Sequence, residues 1–112
     1  MNNPEVVHTA SDATKTTIPR LGMIRQFMAY NPHLMPVRHN FERGWKGARH
    51  SHPQHQMVYA VRDHTRFQVQ GKSWVMRAGD SIVVDGGIER EASAFEPSEV
   101  LDVFTPYRQE YA

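Results

Sequence analysis

The 112-residue chain has no cysteine, which excludes a disulfide framework and every thiolate metal site. It has almost no net charge: 13 Lys plus Arg stand against 12 Asp plus Glu, so nothing draws it generally to nucleic acid or an anionic membrane. No apolar run approaches the roughly 18 residues of a membrane span. The first seventeen residues lack the basic-then-apolar order of a secretory signal, and the expectation is a soluble, cytoplasmic protein. Helical periodicity is missing as well, because no window of helix length repeats its apolar residues every 3.6 positions and Pro and Gly recur throughout. Against these absences stands histidine, with 7 residues. His39, His50, His52, His55 and His64 crowd into one short window.

The length gives one domain, and a chain of this size buries about two-thirds of its unfolded surface. Residues 1–20 are polar and rich in Thr, and are read as an N-terminal arm or tail; residues 21–112 form the folded unit. From Leu21 onward, short apolar runs of strand length alternate with turn formers. The candidates are Met23–Tyr30, Leu34–Asn40, Gln56–Val61, Arg66–Val69, Trp74–Met76, Ser81–Val84 and Val100–Phe104. Asn31-Pro32 and Gln70-Gly71-Lys72 are expected hairpin turns. Seven or more short strands at this spacing mean an all-β sandwich or barrel.

The sharpest local feature runs from Gly44 to Gln56 and contains His50-Ser51-His52-Pro53. On a strand, residues i and i+2 point to one face, and two imidazoles so placed can converge on a cation at about 2.0–2.1 Å. Gln56 shares their parity and offers a carbonyl oxygen, while Pro53 ends regular pairing. The plainer reading is a pair of surface histidines in a polar loop. His55 has the opposite parity and reads as a surface or interface residue; His39 and His64 have no such context. Trp45, Trp74, Tyr59 and Phe67 read as core or interface residues.

Gly44, His50-x-His52 and Gln56 together resemble the first signature of the cupin superfamily. Gly79 and Gly87 keep the two glycines of the second, which departs at Asp85, where Pro is usual, and at Arg90, where a fourth metal-binding His normally stands. The resemblance implies a single jelly-roll (double-stranded β-helix) barrel with an extended N-terminal arm. Within cupins the sequence is most similar to the small pectin-degradation proteins that convert unsaturated uronates to open-chain keto forms. The matching stretches are Ala48–Pro53, Gly79-Asp80-Ser81, Gly87-Ile88-Glu89 and Leu101–Arg108. That resemblance implies metal ligands at His50, His52 and Gln56, a divalent cation such as Zn, Ni, Mn or Fe, and turnover residues at Asp102, Phe104 and Arg108. It also implies a small-molecule substrate and a homodimer.

Arginine stays protonated and has no acceptor, so Arg90 cannot ligate a cation. Three arrangements remain open. The site holds three protein ligands; or Arg90 points to solvent while Glu89 or Glu91 supplies a carboxylate; or Arg90 replaces the metal and binds a substrate carboxylate directly. Asp102 and Phe104 share one strand face, and Arg108 either caps the barrel mouth or sits in solvent. The expected activity is a metal-assisted isomerase or tautomerase of a small anionic, carbohydrate-derived substrate such as an unsaturated uronate. The alternatives are a non-enzymatic small-ligand-binding cupin and another metal-cupin activity such as polyketide cyclisation.

Overall fold

The structure, a computed structural model, describes residues 5–112; the first four residues of the expected arm lie outside them. Among the described residues there are nine strands, β1 (Thr16–Arg20), β2 (Met23–Phe27), β3 (Met35–Phe41), β4 (His55–Arg62), β5 (Thr65–Val69), β6 (Lys72–Met76), β7 (Ser81–Val84), β8 (Arg90–Ala94) and β9 (Ser98–Thr105). They make two antiparallel sheets, one ordered β1-β2-β3-β9-β4-β7 and one ordered β6-β5-β8. Only two short 3-10 turns interrupt the β structure among the described residues, as the missing helical period requires. None of these residues forms a helix long and apolar enough to cross a membrane.

All seven expected strands are found within a few residues of their expected limits, and two more join them. β1 grows from the arm and pairs with β2 at the sheet edge, where Pro19 costs no ladder bond to a further strand. β8 has the sequence Arg-Glu-Ala-Ser-Ala, with no apolar alternation to reveal it; its pairing with β5, from Val69–Arg90 to Thr65–Ala94, makes it a strand. The β5–β6 hairpin turns at Gln70-Gly71, both at positive φ (51° and 79°).

Strand alternation sorts the interior. β9 buries Ser98, Val100, Asp102 and Phe104, and β3 buries Met35, Val37, His39 and Phe41. One apolar cluster joins the sheets through Val58, Ala60, Phe67, Met76, Val84, Ala94 and Val100. A second holds Met35, Val37 and Phe104, with Phe27, Tyr107 and Tyr111 against it. Between the two lies a polar band. His39 follows Val37 and precedes Phe41 on the inner face of β3, and Asp102 sits between Val100 and Phe104 on that of β9. Buried charge and imidazole in the middle of a small core carry a desolvation cost, and they persist only when fully paired.

Candidate functional site

Register builds the band. Asp102 pairs across the ladders with Val37 of β3 and Val58 of β4. The diagonal neighbours on the same inner face are therefore His39 on one side and Gln56 on the other. His39 Nδ1 donates to Asp102 Oδ2 at 2.6 Å, and Gln56 Nε2 donates to Asp102 Oδ1 at 2.7 Å. Each partner is fixed from its far end. Arg25 Nε donates to His39 Nε2 at 2.9 Å, which places the imidazole proton on Nδ1. Arg90 Nη1 donates to Gln56 Oε1 at 2.6 Å, which fixes the amide orientation. The result is a line of bonds, Arg25 to His39 to Asp102 and Arg90 to Gln56 to Asp102, in which the carboxylate accepts from both directions.

Arg90 enters from the opposite sheet, at the first residue of β8, and its side chain is buried to 1% exposure. His50 N donates to Arg90 O at 2.9 Å and Arg90 N to His50 O at 2.8 Å, so the backbone is clamped. The guanidinium is held as firmly. Its Nε donates to Ile88 O at 2.7 Å and its Nη2 to Asp85 O at 2.9 Å. Arg90 Nη1 also lies 3.2 Å from His52 Nε2. The second of the three arrangements is thereby overturned: Arg90 does not face solvent, Glu89 is exposed, and Glu91 accepts from Arg49 at 3.2 Å.

The expected histidine pair is placed differently from a strand geometry. Residues 44–50 run beside β8 through backbone bonds such as Gly47 N to Ala92 O, but His50 forms only an isolated bridge and His52 lies in a loop before β4. Freed from strand alternation, they differ in environment: His50 is exposed and His52 is buried, with ring centroids 5.7 Å apart. Burial, with the charges of Arg108 and Arg90 beside it, pulls the pKa of His52 below its ordinary value and keeps the ring neutral. Its Nε2 lies 3.2 Å from Arg90 Nη1 and 3.1 Å from Gln56 Oε1, and its Nδ1 has no partner among the described residues.

The three expected metal ligands are thus brought near one another, but they do not fit a divalent cation in this arrangement. The oxygen of Gln56 and the Nε2 of His52, 3.1 Å apart, both face a guanidinium nitrogen. The buried Nδ1 of His52 also lacks the acceptor that a ligating histidine normally finds. Among the described residues, no group of three or more His, Asp or Glu side chains is placed to hold a metal ion.

A cavity of about 90 Å³ opens beside the network, bordered by Arg25, His39, Gln56, Arg90, Asp102 and Phe104. The chain's last turn closes over it. Arg108 stacks on the rings of Phe104 and Tyr111, 5.1 and 4.2 Å from their centroids, and donates to Tyr111 Oη at 2.9 Å. Arg108 therefore caps the mouth, held by Glu110 at 2.8 Å, and this bond lowers the Glu110 pKa. Burial raises that of Tyr111. Of the charges bordering the cavity, Arg25, Arg90 and Arg108 outnumber Asp102, so the pocket favours an anion. His39 was not singled out by the sequence; the only available signal was its place in the alternation Met35, Val37, His39, Phe41.

The cupin domain family matches residues 37–104, which span β3 to β9 and every member of the buried network except Arg25. The chain is a cupin. Among solved structures it is similar to an RmlC-like cupin from Shewanella frigidimarina (28% identity, 94% of this chain and 95% of that one, TM-score 0.88). It is also similar to KdgF from Halomonas sp. (29% identity, 94% and 99% of the two chains, TM-score 0.87). The oxalate decarboxylase of Bacillus subtilis, a protein with Mn(II) centres, shares 17% identity over 100% of this cupin and 33% of its own length, with a TM-score of 0.81; that likeness is one of fold. No curated protein matches this cupin by sequence. The jelly-roll expectation and the resemblance to a small KdgF-like cupin both stand.

Proposed function

We propose that this cupin is an isomerase of small anionic sugar acids, with an unsaturated uronate as the type substrate. The observation that carries the reading is Asp102, a buried carboxylate bordering a cavity that Arg25, Arg90 and Arg108 also border. The likeness to KdgF over nearly the whole of both chains supports it. Because the donor set does not fit a metal, every step below belongs to the chain itself.

Arg25 and Arg90 attract the substrate carboxylate and Arg108 closes behind it. Asp102 takes the proton of the anomeric hydroxyl. The ring C–O bond opens, leaving an aldehyde at the anomeric carbon and an enolate at the former ring oxygen. The charge of Arg90 stabilises that enolate, and Asp102 returns the proton to the adjacent alkene carbon to give the keto form. Proton count and charge are unchanged. His39 and Gln56 position the carboxylate, while Phe104 and Tyr111 exclude water from it.

The test follows the ultraviolet absorbance of the conjugated alkene in an unsaturated uronate, with wild type and Asp102→Asn compared at a temperature where both are folded. Loss of absorbance with wild type and not with the variant is expected. No turnover above background, or equal rates, overturns the reading. The engagement of both Asp102 oxygens by His39 and Gln56 favours one second reading, a cupin that binds such an acid without chemistry; thermal stabilisation by the uronate with no change in absorbance would select it.

The proposal includes a cytoplasmic homodimer. The outer face of the six-stranded sheet exposes Tyr59, Val61 and Val83, and sedimentation as a monomer at micromolar concentration overturns that part.

A further inference from the structure

We infer that the guanidinium of Arg90 stands in the place of a divalent cation, so that the positive centre of this pocket is a residue of the chain and the site is metal-independent. Four observations converge on it. The metal-facing atoms that the family pattern assigns to Gln56 and His52 meet Arg90 Nη1, at 2.6 and 3.2 Å. The guanidinium is anchored on its other side by two backbone carbonyls, Ile88 O and Asp85 O, which a competing ion does not displace. The backbone of Arg90 is clamped to that of His50 in both directions. The far end of Gln56 is committed to Asp102, so the amide cannot turn its oxygen elsewhere without facing the carboxylate with another acceptor.

For an ion to enter, the arginine has to leave. Its departure exposes no solvent path for the charge, because the side chain is 1% exposed, and it strands two carbonyls, an amide oxygen and an imidazole nitrogen. Each buried group left without a partner loses its hydration with nothing to replace it. A single positive charge fixed in this way sits in a line with Asp102 and needs no loading step. One N–H of Nη2 remains after the bonds to Asp85, Ile88, Gln56 and His52 are counted.

The experiment measures metal per chain by plasma mass spectrometry on protein made without a histidine tag, for wild type and Arg90→His. Thermal melts of both are recorded with EDTA and with Ni²⁺ or Zn²⁺ added. Wild type is expected to hold well under about a tenth of an equivalent, with a Tm that neither chelator nor ion moves. Arg90→His completes a set with His50, His52 and Gln56; it is expected to take up about one equivalent and to gain Tm with the ion, because a ligand bound only by the folded state stabilises it. Wild type carrying about one equivalent, or melting lower in EDTA, overturns the inference. A folded Arg90→His chain that stays empty overturns it too, since Arg90 would then not occupy a cation's position. If that variant does not fold, the wild-type measurements decide by themselves. No substrate enters these measurements, so their outcome is separate from that of the uronate assay.

Discussion

Replacing Asp102 by Asn changes one oxygen to a nitrogen, yet the structure makes it a severe substitution. The line of bonds through the site ends in an arginine at each extremity, Arg25 on His39 and Arg90 on Gln56. Arginine only donates. A line with donors at both ends needs one member that accepts from both sides, and that member is the carboxylate. An asparagine presents a single acceptor. Turned toward His39, it opposes its NH₂ to that of Gln56; if Gln56 turns over in response, its NH₂ meets Arg90. Turned the other way, it opposes His39, whose proton can move only to the nitrogen that Arg25 already addresses. The mismatch moves along the line and never leaves it. One charge-assisted bond is lost, at about 1.5–3 kcal/mol, and one buried donor is left unpaired, at about 1–3 kcal/mol. The expected loss is about 3–5 kcal/mol, or a Tm lower by about 12–20 °C for a domain of this size. Circular-dichroism melts of wild type, Asp102→Asn, Arg25→Ala and the double variant form a cycle. Arg25→Ala frees His39 to change tautomer, so Asp102→Asn is expected to cost at least about 1 kcal/mol less in that background. A shift below about 4 °C for Asp102→Asn, or strictly additive losses, refutes the donor–acceptor reasoning.

Other consequences are equally measurable. His52 binds its proton less readily folded than unfolded, so its contribution is present above about pH 6.5 and is lost as the pH falls below that; urea melts at several pH values should show a shallower acid slope in His52→Gln, and an unchanged slope counts against it. A Cβ on Gly86 would lie 2.0 Å from Pro53 O, beside the loop that carries His52. Gly86→Ala should therefore cost about 3 kcal/mol, read as a lower urea midpoint, and a wild-type midpoint would contradict the close approach. Phe104→Ala removes a ring that packs on His52 and Tyr111 at centroid distances of 5.4 and 5.9 Å. It should cost about 3–5 kcal/mol in the same assay, against less than about 0.5 for exposed Leu21→Ala.

Some of this protein was determined by local sequence. Alternating residues between turn formers specify strands without reference to the rest of the chain, so the all-β architecture and seven of the nine strands among the described residues were legible, as was the shared face of Asp102 and Phe104 on β9, which the structure turns inward. β8 was not, because its polar residues acquire strand geometry only by pairing with β5. The histidine pair was visible as spacing, but its two members separated into exposed and buried once the segment lay outside a regular strand. What tertiary structure alone decided is the content of the site. His39 and Gln56 meet Asp102 through the register of β3, β9 and β4, three strands far apart in the chain. Arg90 reaches them from the facing sheet. Sequence showed that Arg90 cannot be a ligand; only the folded backbone, by aiming Ile88 O and Asp85 O at its guanidinium, decided that it points inward and sits against Gln56 Oε1 and His52 Nε2. A charge is directed by what surrounds it in space, and that is set by long-range pairing rather than by neighbours in the chain.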